Sequence, residues 1–226
     1  MSKYFREIIY KNLPNIVSIL GVLPLVLLFR EDSFQFIIPL IIYNNIMDDL
    51  DGILAVKLNI KSDFGARLDN VCDAISHTIL VMVIGMHYSL ICGLISLVAV
   101  AAILIRSVSR LSPSKVDGMG SPTNELIRHL LFVLLLADMF SFNPAWPLVM
   151  IFLMNTISMF IPYPMPYMIR SQAKTIPAIL LVNITLILAW LLPYTTPVIA
   201  GGFILTYFYS LIKIFWKRLK SIFVHV

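Results

Sequence analysis

Eight apolar runs, several of them short or broken by proline, follow one another along the chain with little sequence between them, and this restricts the fold more than any single motif does. They lie at about 15 to 29, 34 to 56, 65 to 86, 88 to 108, 125 to 141, 145 to 161, 175 to 192 and 196 to 214. A crossing helix needs about 20 residues, and in lipid a helix satisfies its own backbone hydrogen-bonding groups. Composition points the same way: 59% of residues are hydrophobic and 13% charged, with mean hydropathy +0.91. A soluble domain has roughly 45–50% apolar and 25% charged residues. The expected fold is an all-α integral membrane protein, one bundle of about eight transmembrane helices with no second domain.

The basic residues orient that bundle. With the amino terminus in the cytosol, sixteen of the seventeen Lys and Arg residues fall at cytosolic ends and only Arg30 falls outside. Losing one span would scramble that positive-inside asymmetry. Both termini are therefore expected in the cytosol, with 1–14 a retained amphipathic surface helix, 15–214 the bundle and 215–226 a basic tail. Lys213, Lys217, Arg218 and Lys220 are read as contacts to lipid headgroups rather than nucleic acid. Cys72 and Cys92, both in apolar stretches, give no disulfide or zinc pattern.

Four aspartates stand out against this background. Asp48 and Asp51 lie roughly 21 to 27 Å along a second span that begins outside, and Asp69 and Asp73 roughly 6 and 12 Å into a third that begins inside. All four thus converge near the cytosolic face. Residues three or four apart share a helix face, so Asp48, Asp51, Gly52 and Ala55 form one stripe, and Gly65, Asp69, Asp73 and His77 another. Converging carboxylates repel one another unless cations bind. All-oxygen ligands suit Mg²⁺, Mn²⁺ or Ca²⁺, and two such ions roughly 3.5 to 4 Å apart serve phosphoryl transfer. Acids in a membrane also serve ion or solute relays, a use that would give flux without any nucleotide.

The segment DDLDGILAVKLNIKSDFGARLDNVCD fits D-x-x-D-G-x-x-A, then nine residues, then G-x-x-x-D-x-x-x-D. This resembles the signature of the CDP-alcohol phosphotransferases, membrane enzymes that pass a phosphoalcohol from a CDP-linked donor to a hydroxyl acceptor and release CMP. Pro14, Asn15 and Ser18 resemble the P-N-x-x-T opening of that family's first helix. IPYPMP, from Ile161 to Pro166, resembles a stretch of the phosphatidylserine synthases.

The resemblance implies a six-helix core plus two helices, a homodimer, and an active site on the cytosolic side of the cell membrane. It also implies that Asp48, Asp51 and Asp69 ligate divalent metal, Mg²⁺ or Mn²⁺ with Ca²⁺ as an alternative and two ions per site. Asp73 would ligate or act as general base. Gly52, Ala55 and Gly65, with Asp48 and Asp69, would border the CDP moiety. The implied donor is CDP-diacylglycerol or a similar CDP-lipid. The implied acceptor is a small alcohol, serine first, with glycerol 3-phosphate or an inositol compound as the alternative.

Two departures accompany the match. The family usually has Arg after the motif alanine, where this chain has Val56 followed by Lys57, so a silent CDP-lipid binder is a competing reading. GMGSPTNE replaces the G-L-P-x-P motif of the serine enzymes.

Arg106, Arg110 and Lys115 are candidates for binding donor phosphates or the acceptor, with anchoring to anionic lipid as the alternative. Asp49 faces away from Asp48 and is expected to be solvated or capping. His77 is expected to be a hydrogen-bonded interior residue, and His87 and His129 interface residues. Asn124, Glu125 and Arg128 are expected to cap a helix start after Pro122, or else to shape the acceptor pocket.

Overall fold

In the computed structural model, residues 3–111, 122–161, 165 and 168–224 are described, and all of their regular structure is helical. The helices are α1 (Lys3–Lys11), α2 (Leu13–Val22), α3 (Ile37–Lys57), α4 (Asp63–Tyr88), α5 (Leu90–Leu111), α6 (Pro122–Phe140), α7 (Ala145–Phe160), α8 (Ile169–Gln172), α9 (Ile176–Leu191) and α10 (Thr196–Val224). Each apolar run read from the sequence falls on a helical segment. Asp63–Tyr88, Leu90–Leu111 and Pro193–Trp216 are long and apolar enough to cross a membrane; Leu13–Phe29, Ala145–Phe160 and Ile176–Leu191 are apolar but shorter.

The start of the chain folds as the short helix α1. Its Lys11 donates to Glu7 at 2.8 Å one turn away. That hydrogen bond and the lysine's charge hold the Glu7 carboxyl below its ordinary range.

The outer surface is apolar. Val26, Leu94, Ile105, Leu181, Val198, Leu205 and Ile212 all point outward, a distribution that suits lipid and would be a liability in water. The interior combines an apolar core, including Leu80, Ile84, Ala99, Ile103, Leu130, Phe132, Phe152 and Phe203, with buried polar side chains.

Helix α4 packs most extensively on α5, α5 on α7, and α2 on both α3 and α4. The α4–α5 approach depends on Gly85, since a Cβ there would collide with the Ser96 side chain. Helix α6 runs through the middle, in contact with α3, α4, α7, α8, α9 and α10. Nearly all of its residues are buried, Glu125, Arg128 and His129 among them.

Candidate active site

The site is built on the end of α3, the start of α4 and the turn between them. Helix α3 stops where Asn59 adopts the left-handed conformation (φ 55°), which asparagine tolerates better than most residues. The Ile60 N–H then donates to Ala55 O at 3.1 Å and the Asn59 N–H to Val56 O at 3.2 Å, the paired bonds of a Schellman ending. Four residues on, α4 starts from an extended Ser62 whose Oγ accepts from the Gly65 N–H at 3.0 Å. A serine N-cap of this kind contributes about 1 kcal/mol. The turn therefore returns the chain so that the two acidic stripes face each other.

Asp48, Asp51 and Asp69 each direct a carboxylate oxygen to a common point, the three atoms lying within 4.8 Å of one another. The Ser18 hydroxyl, on α2, donates to Asp51. Asn124, on α6, donates from Nδ2 to Asp48 Oδ2 at 2.9 Å. Asp73 comes within hydrogen-bonding reach of Asp48, and the charge of Arg110 reaches both Asp69 and Asp73. Three mutually close carboxylates fit a hard divalent cation better than they fit one another.

Beside the cluster is a cavity of about 270 Å³ walled by Pro14, Asn15, Ser18, Asp51, Gly52, Ala55, Val56, Gly65 and Asp69, with Lys11 and Lys61 also on its lining. The two motif glycines serve it differently. A Cβ at Gly52 would meet nothing within 4 Å, so this glycine leaves open space where a ligand can approach the backbone. At Gly65 a Cβ would sit 3.0 Å from Asn15 Oδ1 and 3.1 Å from Ser62 Oγ, so this glycine permits α2 and the turn to close on α4. Val56 forms part of the wall, whereas Lys57 is not on the lining.

On the other side of α4 a narrow cleft is lined by Asn70, Asp73, His77, Arg106, Ser107, Arg110 and Thr123. Asp73 thus faces a second opening, distinct from the cavity beside Asp51. Arg106 donates from Nη1 to Met159 O at 3.3 Å, so part of its donor capacity ties α5 to the end of α7. Asn70 Nδ2 binds Ser107 through the backbone O at 3.1 Å and Oγ at 2.9 Å, which fixes α4 against α5 here. His77 is interior, but its Nδ1 has no hydrogen-bond partner among the described residues. Lys115, the GMGS half of GMGSPTNE and much of IPYPMP lie outside the described residues.

Several expectations need correction. Asp49 is neither solvated nor a cap: it is 3% exposed and accepts from Asn183 Nδ2 at 2.7 Å and Asn45 Nδ2 at 3.4 Å. The helical rotation that turns it away from Asp48 turns it toward α9 instead of solvent. His129 is not an interface residue but is buried against Asn155 and the Tyr207 ring. Glu125 and Arg128 do not cap α6; they form a buried pair at 3.4 Å, and Arg128 Nε donates to Asn45 Oδ1 at 3.1 Å. The sequence signal for these was a Glu and an Arg three residues apart at the head of an apolar run, a placement that in a membrane calls for pairing.

The family model for CDP-alcohol phosphatidyltransferase matches residues 11–212, nearly the whole chain. An uncharacterized protein from Aquifex aeolicus (strain VF5) is 31% identical over 84 residues, covering 35% of this chain and 42% of that protein. The chain thus spans less than half the length of that relative.

Proposed function

The chain belongs to the CDP-alcohol phosphatidyltransferase family, and from that membership we propose that it transfers a phosphatidyl group from a CDP-lipid, CDP-diacylglycerol first, to the hydroxyl of a small polar alcohol, releasing CMP. The observation that carries this reading is the convergence of Asp48, Asp51 and Asp69 beside a cavity walled by the motif's own Gly52, Ala55 and Gly65. The cavity is assigned to the CDP moiety. Asp48, Asp51 and Asp69, with Asp73 at the edge, are assigned as ligands for one or two divalent cations, Mg²⁺ or Mn²⁺. Such ions, when bound, offset the charge of the pyrophosphate and of the departing CMP.

The protein's own groups account for the remaining steps. Asp73, within hydrogen-bonding reach of Asp48 at the edge of the cluster, takes the proton from the acceptor hydroxyl. The acceptor oxygen forms a bond to the lipid-side phosphorus as the bond from that phosphorus to the bridging oxygen breaks, and CMP leaves with the bonding electrons. Arg110, exposed and lining the same cleft as Asp73, attracts the anionic part of a donor or acceptor. Ser18 and Asn124 hold Asp51 and Asp48 in place through hydrogen bonds.

The turn offers a substitute for the arginine missing at Val56. Lys61 lines the cavity and has no ion pair among the described residues, whereas Lys11 on the same lining is engaged with Glu7. Lys61 is assigned to the donor's phosphates. Lys61→Ala is expected to raise the KM for the CDP-lipid about tenfold, as befits the loss of one charge-assisted hydrogen bond of about 1.5 kcal/mol. An unchanged KM would remove Lys61 from the site.

The one-sided distribution of Lys and Arg favours eight spans with both termini and the site in the cytosol, with residues 1–14 as a surface helix and 215–226 as a basic tail. A homodimer completes the reading. Serine is the first choice of acceptor, on the likeness of IPYPMP to the phosphatidylserine synthases. An acceptor screen with purified protein and CDP-diacylglycerol tests it: CMP release with glycerol 3-phosphate or an inositol compound, and none with serine, would overturn the serine assignment. Val56 favours one competing reading, a silent relative that binds CDP-lipid without turning it over.

A further inference from the structure

The two neighbouring acids Asp48 and Asp49 are gripped by different helices, α6 and α9, and every amide in the arrangement has a fixed sense. Thr123 Oγ1 donates to Asn124 Oδ1 at 3.3 Å, which leaves the Asn124 amide nitrogen to face Asp48 Oδ2 at 2.9 Å. On the other side, Asn183 Nδ2 gives its hydrogens to Asp49 Oδ2 at 2.7 Å and to Ile179 O at 3.1 Å. Its Oδ1 accepts from Asn45 Nδ2 at 2.8 Å, and Asn45 Nδ2 also reaches Asp49 Oδ2 at 3.4 Å. Asn45 Oδ1 accepts from Arg128 Nε at 3.1 Å. No amide can flip without losing bonds in a buried setting, where each unmade bond carries the full desolvation cost.

Asp48 and Asp49 sit next to each other on a helix and point about 100° apart. Bonds to both therefore define the roll of α3 about its axis, and with it the position of the Asp48 oxygens relative to Asp51 and Asp69. Asn124 is 5% exposed, belongs to the central helix and meets the cluster at Asp48.

We propose that Asn124 is a positioning residue for the aspartate cluster, its amide setting the Asp48 carboxylate for cation binding while Asp49, Asn183, Asn45 and Arg128 lock the roll of α3. The proposal rests on the cluster being a cation site, and groups of this kind, one hydrogen bond behind a metal ligand, typically change metal affinity about 10- to 100-fold when removed.

The test is Mn²⁺ titration of the purified full-length chain in detergent, followed by the electron paramagnetic resonance signal of free Mn²⁺, with no CDP-lipid present. Asn124→Ala is expected to raise the Mn²⁺ Kd at least about tenfold. The Mn²⁺ concentration for half-maximal CMP release should rise in step, with much of the maximal rate regained at saturating Mn²⁺. Thr123→Val, which removes the hydroxyl that donates to the Asn124 amide oxygen, should shift the same Kd in the same direction by a smaller factor, and it decides the matter if Asn124→Ala does not fold. An unmutated chain that binds no Mn²⁺ would sink the cation-site reading itself. Binding by the unmutated chain that is matched by the folded variants would overturn the role given to Asn124 alone.

Discussion

Asp73→Asn is expected to reduce CMP release about 10²- to 10⁴-fold, the usual contribution of a positioned general base, while leaving the bundle folded. The substitution is nearly isosteric, so the half-buried side chain keeps its volume and a hydrogen bond to Asp48 remains available. What it loses is the ability to accept a proton from the acceptor hydroxyl. Rates for the two proteins, measured at saturating cation with melting temperatures in the same detergent, separate this from misfolding. Full activity in a folded Asp73→Asn variant would exclude Asp73 as the base and shift attention to the other groups of its cleft.

The largest expected effect on stability lies at Arg128. Its side chain is 1% exposed and paired with Glu125, itself fully buried, and it also supplies a hydrogen bond to Asn45. Arg128→Leu removes the cation and leaves a buried carboxylate, a change that typically costs about 3–5 kcal/mol. Replacing both members with apolar residues removes the orphaned charge as well and is often close to neutral. Thermal unfolding in detergent should therefore show a large loss for Arg128→Leu and substantial recovery in Arg128→Leu/Glu125→Leu. A single variant as stable as the unmutated chain would show that the Glu125 carboxylate does not depend on Arg128.

These two residues also mark what was legible in the sequence. The acid cluster was readable because its geometry is local: the spacing of three and four along each helix and the short connection between the two spans suffice to bring the stripes together. Gly52, Ala55 and Gly65 were readable for the same reason. The positions of the helices followed from apolar runs and their breaks.

The residues held in place by distant helices were not legible. The direction Asp49 takes around α3 follows from helical geometry, but whether that direction meets water or another helix depends on α9, more than a hundred residues away. Asn124 and Arg128 pose the same problem, since nothing local reveals that α6 occupies the centre of the bundle. Lys61 falls between these cases. The Asn59 ending that returns it to the cavity has a recognisable chemistry, although Val56 drew attention to its neighbour Lys57, which the helix turns off the lining.

CMP release by the purified chain tests the proposed transferase most directly, because it separates an active enzyme from a silent binder that shares every feature of the site. The measurement uses CDP-diacylglycerol, a panel of small alcohols including serine and glycerol 3-phosphate, and a titration of Mg²⁺ or Mn²⁺. An active transferase releases CMP only when both a divalent cation and a hydroxyl acceptor are present. CDP-diacylglycerol binding with no CMP at any cation concentration and with every acceptor would contradict it.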